Sequence, residues 1–364
     1  MVSKYRLLYH SIINTRPSQL YHRLRLLIKR KLLSNLAGES YAAKIALPAE
    51  LNSSLASNLP PALFEPREQL VRASKNNDLE VGFLNVWRPL QSPMNWHPFE
   101  MKQGTRLWLL NLHYMEFIEA LSNENWFRFV KDWIGANKPF KKGYWLDDWN
   151  SYSLSIRVVV WMQQFERRGD SLSEADKAFF LRSLVGQMKF LKSNLELDIG
   201  GNHLVKNIKA LLWASQFFEG PEADCWRELG LKLLRAAIEE QVTPDGAHFE
   251  LSPAYHVQVF ADFLECYSVL DDCQTRRELK SILPKMAQFL TDMVHPDGKI
   301  SLFSDGGLDM SYSPLECLSI FNDLIGTPIE QSEIISYPFA GYFGLRHLDT
   351  LILMDAAELA PRYL

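Results

Sequence analysis

The sequence lacks long apolar runs and paired cysteines, and each absence excludes a class of protein. No stretch approaches the roughly 18 uncharged apolar residues of a membrane-spanning helix, so none is predicted. The four cysteines form no C-x-x-C pair, which argues against a zinc site or a disulfide framework and predicts buried thiols. The Walker loop, the dinucleotide fingerprint and the H-E-x-x-H motif are also absent. We therefore predict no metal site and no cofactor within these residues.

Acidic residues are absent from residues 1–38, which carry eight lysines and arginines. The rest of the chain is acidic, which argues against nucleic-acid binding. Residues 1–38 predict one of two arrangements. One is a weak contact with an anionic membrane surface or polymer, and the other is a solvated helix pair packed on the rest of the chain. The segment 1–38 has neither the apolar run nor the cleavage site of a signal peptide. We expect a cytoplasmic protein, with a periplasmic or inner-membrane-associated location as the alternative.

Helical periodicity dominates the sequence, and 47% apolar residues allow a large core. Because the helices are joined by short links and show no fixed repeat, they predict antiparallel helical hairpins in a ring rather than a solenoid. The predicted fold class is mainly α, an incomplete α/α toroid. The predicted helices are 1–40, 106–121, 123–135, 150–168, 172–194, 203–219, 222–241, 253–271, 276–294 and 313–325.

Two segments interrupt the helical pattern. Seven prolines in residues 44–104 interrupt any helical or strand periodicity, which predicts an irregular connector with at most short strands or helices. Phe339 to Asp355 contains two short apolar or alternating runs, which predict a β-hairpin. The predicted domains are therefore 1–104, the basic helices and connector; 105–335, the toroid; and 336–364, the start of a β-domain.

The densest polar motif is the segment Gly200-Gly-Asn-His203. Two glycines permit a tight turn, and Asn202 then occupies a helix N-cap position with His203 in the first turn. A helix N-terminus favours a carboxylate ligand because its N–H groups are free. The alternative is an ordinary capped helix.

A second motif precedes another predicted helix. Ser252 is a suitable N-cap and Pro253 a suitable first residue, which places Tyr255 and His256 at the positive end of the helix. The helix dipole is expected to favour ionised Tyr255, which suits proton transfer. The alternative is that Tyr255 and His256 only lie at the edge of the toroid and take no part in the chemistry. Two further side chains are predicted to lie nearby, His248 and Glu250.

Several other side chains are candidates for binding a sugar or its carboxylate. Trp149 and Tyr152 could stack on sugar rings and Arg157 could pair with a carboxylate, although the same spacing fits a core stripe. The remaining candidates are His113 and Tyr114, on a helix that otherwise looks buried, and Asp305, in a glycine-containing loop.

Together these segments resemble the heparinase II/III family of polysaccharide lyases, which is similar to the alginate lyase toroids. The resemblance implies a toroid followed by a β-sandwich domain, and β-elimination on uronic-acid glycans such as glycosaminoglycans or a capsule polysaccharide. It also implies that Asn202 is the neutralising amide beside His203, and that Tyr255 is the catalytic tyrosine beside His256. The matching segments are Asn111–Tyr114, Trp149–Arg157, Gly201–Asn207, Asp245–His256 and Asp297–Gly306.

The family places a further catalytic histidine, and often a structural metal, in the β-sandwich domain. The resemblance therefore implies that most of this domain is missing from the sequence, and that a separate chain is one possible source of it. Two other functions stay open at this point. One is a glycan-binding toroid without catalysis. The other is an inverting glycosidase with carboxyl groups about 6.5–9.5 Å apart, for which Asp147 or Asp148 with Glu250 or Asp305 are the candidates.

Overall fold

The computed structural model describes residues 13–36, 54–56, 59–74, 78–98, 106–308 and 312–357. Its α-helices are α1 Pro17–Leu36, α2 Arg106–Tyr114, α3 Asn123–Ala136, α4 Ser151–Arg168, α5 Glu174–Ser193, α6 Gly201–Phe217, α7 Pro221–Gln241, α8 Pro253–Val269, α9 Gln274–Met293 and α10 Pro314–Ile325. Its strands are β1 Ser54–Leu55, β2 Val71–Ala73, β3 Leu79–Phe83, β4 Val86–Pro89, β5 Phe218–Glu219, β6 Ile334–Tyr337, β7 Tyr342–His347 and β8 Thr350–Asp355.

The helices follow the predicted pattern closely, with two clear differences. The helix predicted over 1–40 is interrupted at Thr15 and Arg16, so that α1 begins at Pro17, and positions 1–12 and 37–40 of that prediction lie outside the described residues. The helix predicted over 106–121 ends at Tyr114, because Met115 adopts a left-handed conformation with φ 59°. A short 3-10 helix, Glu116–Ala120, follows it. In the described part of the chain, no helix has the length and apolar character needed to cross a membrane.

The chain divides into two compact units. We call residues 24–196 with 213–226 the aromatic unit, and residues 1–23, 197–212 and 227–364 the sheet unit. The three domains predicted from the sequence follow a different division, and their boundaries stay a prediction.

Large aromatic side chains form the core of the aromatic unit. The rings of Trp133 and Trp161 meet edge to face at 5.7 Å, and those of Phe165 and Phe180 stack at 5.0 Å. Many of the tryptophans are therefore used in packing. In the connector, β2, β3 and β4 form an antiparallel sheet, and Val86 accepts a hydrogen bond from the Trp108 indole at 2.9 Å.

The sheet unit ends in an antiparallel sheet with the strand order β6-β7-β8. The predicted hairpin is formed by β7 and β8, but the prediction missed β6, which pairs Ile335 with Gly344. The sheet is anchored on the end of α9, where Tyr337 donates a hydrogen bond to Asp292 at 2.6 Å and Arg346 donates to the Val294 carbonyl at 2.9 Å. These contacts support a small sheet that would be marginal alone.

A buried cluster of four charged side chains joins α6 to α8. The Lys206 and Lys209 ammonium groups each lie 2.8 Å from Asp262, and Lys209 lies 2.6 Å from Glu265. Burial favours a lower pKa for Lys209, but Asp262 and Glu265 outweigh it and raise this pKa well above its usual value. The pairing therefore keeps Lys209 charged inside the core.

The four cysteines are free thiols. Cys266 and Cys317 are buried as predicted, and burial raises the pKa of both thiols. The prediction was wrong for Cys225 and Cys273, which are half-buried.

Candidate functional site

The first part of the candidate site is the start of α6. Gly200 and Gly201 both have positive φ, 78° and 51°, as the predicted tight turn requires. The predicted N-cap role of Asn202 was wrong, because the helix already begins at Gly201. The Asn202 side-chain amide instead donates to Gln258 on α8 at 3.0 Å. This bond fixes the amide in place between two helix starts.

The second part is the start of α8, which has the predicted cap. The Ser252 hydroxyl accepts a hydrogen bond from the Tyr255 amide at 3.3 Å, and Pro253 is the first helical residue. The same hydroxyl donates to the Asp305 carbonyl oxygen. The loop that carries Asp305 is therefore tied to the helix end that carries Tyr255.

These contacts bring five of the predicted site residues together within the sheet unit. Glu250 accepts a hydrogen bond from the Asn202 backbone amide at 3.2 Å, and the Tyr255 hydroxyl donates to Asp305 at 3.4 Å. His203 is half-buried in the first turn of α6, close enough for its charge to act on Glu250. A neutral amide, a phenol, an imidazole and two carboxyl groups thus share one region.

The electrostatics of this region differ from those expected at a bare helix start. Burial, followed by the negative charges of Asp305 and Glu250, raises the pKa of Tyr255. Burial also raises the pKa of Glu250, and Asp305 adds to that effect. The expectation that the helix dipole favours ionised Tyr255 was therefore wrong. At neutral pH the tyrosine keeps its proton and can act as a donor.

His256 and His248 are buried in the core beside the site, so a substrate in the site would not reach their rings. The His256 Nδ1 accepts a hydrogen bond from the His248 backbone amide at 3.2 Å, and its Nε2 lies 3.0 Å from the Met286 carbonyl oxygen. These partners define a neutral ring that donates from Nε2. We therefore assign His256 a positioning role, since it holds the segment that leads to Glu250.

Burial gives both histidines a pH-dependent effect on stability. It lowers the pKa of His256 to about 4 and that of His248 to about 3, from 6.5. Between pH 6.5 and about 5 the unfolded chain binds protons that the folded chain does not, so the free energy of unfolding falls as the pH falls. The expected slope is about 1.4 kcal/mol per pH unit for each ring.

Urea unfolding at several pH values checks this expectation. We expect His256→Gln to reduce the slope by about 1.4 kcal/mol per pH unit, whereas His347→Gln, at an exposed position on β7, should leave it unchanged. An unaltered slope in His256→Gln would contradict the neutral buried ring.

Three other candidates are packed inside the aromatic unit. Arg157 donates to Gln187 at 2.8 Å and to the His113 carbonyl at 2.8 Å, and its guanidinium lies 3.9 Å from the Trp133 ring centre. The Trp149 indole donates to the Asn137 carbonyl at 3.1 Å. All three predicted residues are buried, and their contacts make them part of the scaffold in this structure.

The remaining pair, Tyr114 and Tyr152, has its rings 5.8 Å apart. Tyr114 is buried, and burial raises its pKa, whereas Tyr152 is half-buried in the first turn of α4. Of the five sugar-binding candidates in this unit, Tyr152 is thus the one with partly accessible surface, and its predicted role in binding stays a prediction. The glycosidase candidate Asp147 is also half-buried and lies 3.7 Å from Arg106.

Gln258, the partner of the Asn202 amide, was not predicted from the sequence. Its position three residues after Tyr255 places both on one face of α8, which is the signal that could have found it. Asp148 was considered only as a glycosidase carboxylate, but it is buried and pairs with Lys141 at 2.8 Å. In the described ranges no group of three or more His, Cys, Asp or Glu side chains could hold a metal ion.

The family profile described as Heparinase II/III N-terminus matches residues 109–322. A heparin-sulfate lyase of Bacteroides thetaiotaomicron is 26% identical over 196 residues, which cover 50% of this chain and 28% of that protein. A heparin-sulfate lyase of Pedobacter heparinus is 25% identical over 232 residues, which cover 58% of this chain and 34% of that protein. The chain thus matches about a third of each relative's length.

Solved structures show the same fold. The crystal structure of heparinase III superposes with a TM-score of 0.57 at 18% identity, covering 95% of this chain and 61% of that one. This likeness confirms the predicted fold class. Because the profile match extends over more than half of the sequence, the chain belongs to the heparinase II/III family.

Proposed function

We propose that this chain carries the helical part of a polysaccharide lyase that cleaves uronic-acid glycans by β-elimination. The observation that carries the proposal is the convergence of Asn202 and Tyr255 at two adjoining helix starts within one unit. The relatives named as heparin-sulfate lyases support an anionic glycosaminoglycan as the substrate class.

The chemistry gives each side chain a defined task. The C5 proton of a uronate is a very weak acid, so its removal needs a group that stabilises the charge moving onto the carboxylate. The Asn202 amide, which Gln258 holds in place, is suited to bind that carboxylate. The amide nitrogen carries a second N–H, which can donate to a carboxylate oxygen as negative charge gathers there.

The proposed reaction is an elimination across C4 and C5 of the uronate. A base takes the C5 proton, the C4–C5 double bond forms, and the bond between C4 and the glycosidic oxygen breaks. Tyr255 is the proposed donor of the proton that the leaving oxygen needs, because its raised pKa keeps it protonated at neutral pH. His203, half-buried beside Asn202, is the candidate base.

An absorbance assay with matched substrates tests this function. Incubation of heparan sulfate with the lyase that contains this helical part, its β-sandwich domain supplied, is expected to produce the near-ultraviolet absorbance of an unsaturated uronate. The same polymer with its carboxyl groups reduced to alcohols should give none, because its C5 proton is no longer acidified. New reducing ends without absorbance would instead indicate hydrolysis. Salt-sensitive binding without new ends, on a panel of uronate polymers, would indicate the non-catalytic alternative.

A further inference from the structure

The outward face of α1 is apolar, which is the reverse of an ordinary surface helix. Tyr21, Leu24, Ile28 and Leu32 are 65%, 58%, 50% and 49% exposed. Their spacing of three, four and four residues places them in one line along the helix. We call these four side chains the α1 stripe.

Specific contacts on the opposite face fix the direction of this stripe. Leu26 is buried, the Gln19 amide donates to the Ile199 carbonyl at 3.2 Å, and the Lys29 ammonium donates to the Ser193 carbonyl at 2.9 Å. The helix is therefore held by its inner face. The exposure of the stripe follows from that orientation.

Positive charge surrounds the stripe. Arg25 and Lys31 are exposed and flank it, and α1 contains no acidic residue. Arg25 and Lys31 therefore give the outward face of α1 a positive potential.

We propose that α1 lies in the interface of an anionic phospholipid bilayer, with the α1 stripe among the acyl chains and its flanking cations at the lipid phosphates. Interfacial helices combine an apolar face with lysine and arginine in this way. An anionic polysaccharide would satisfy the cations but leave Leu24, Ile28 and Leu32 in water. A second copy related by a two-fold axis would bring like charges together. The inference does not depend on the proposed catalytic function.

Sedimentation of the full chain with vesicles tests the proposal. We expect binding to vesicles of phosphatidylcholine with phosphatidylglycerol, weaker binding to phosphatidylcholine alone, and release by salt. The double variant Arg25→Gln/Lys31→Gln should weaken the partition by about tenfold or more. The double variant Leu24→Gln/Ile28→Gln should abolish detectable binding while the circular dichroism spectrum is kept. Leu315→Gln, at an equally exposed leucine of α10, is the matched control and should bind normally.

Three results would overturn the proposal. One is the absence of binding to the anionic vesicles at low salt. Another is equal vesicle binding by the chain and its Leu24→Gln/Ile28→Gln variant. The last is a dimer in light scattering that this variant dissociates, without vesicle binding by the original chain, which would make the stripe an interface between two copies.

Discussion

Replacing Tyr255 with phenylalanine is expected to lower the rate of glycan cleavage by about 10²–10⁴-fold, the usual contribution of a positioned proton donor. The substitution removes the hydroxyl that lies 3.4 Å from Asp305 and leaves the ring in place. Binding of the polymer should change little, because phenylalanine keeps the shape of the site. The loss should therefore appear in kcat, with KM nearly constant.

Tyr267→Phe is the matched control for this experiment. Tyr267 belongs to the same helix, α8, but lies twelve residues after Tyr255 and outside the candidate site. We expect normal cleavage and an unchanged melting temperature in this variant. If Tyr255→Phe retained full activity, the proton donor would have to be another group and the role given to Tyr255 would be wrong.

Replacing Asp262 with alanine is expected to lower the free energy of unfolding by about 3–5 kcal/mol. Asp262 contacts both Lys206 and Lys209 at 2.8 Å inside the core, and its removal leaves two buried cations with only Glu265 as an acidic partner. Urea unfolding, followed by circular dichroism, measures the change.

A surface ion pair provides the control for Asp262. Asp271 pairs with Arg227 at 3.2 Å and is largely exposed. Asp271→Ala should therefore cost only about 0–1 kcal/mol. An equally small loss in Asp262→Ala would show that the four charged side chains do not depend on one another for burial.

Helix positions could be predicted from the sequence because apolar spacing and capping residues are local signals. The helix predicted over 150–168 is α4, Ser151–Arg168, and Asn150 caps it by accepting from two backbone amides. The left-handed turn at Met115 carried no such signal, since methionine rarely adopts that conformation. Strand β6 has only four residues and became recognisable through its pairing with β7.

The candidate site was predictable only in part, because charge interactions cross large sequence distances. The segment Asn202-His203 and the pair Ser252-Tyr255 could be found from turn and cap residues. The pKa shift of Tyr255 could not, since it depends on burial in the folded chain and on Asp305, fifty residues further along the sequence. The role of Arg157 could not be predicted either, because an arginine packed in a core and one that binds a carboxylate can have the same sequence pattern.

The mass of the new chain ends is the measurement that tests the proposed elimination most directly. After digestion of a uronate polymer, mass spectrometry of the fragments should find non-reducing ends that are lighter by one water than the ends left by hydrolysis. The Tyr255→Phe variant should produce almost none of them, and Tyr267→Phe should match the unaltered chain. Fragments with fully hydrated ends would contradict the account and identify the reaction as hydrolysis.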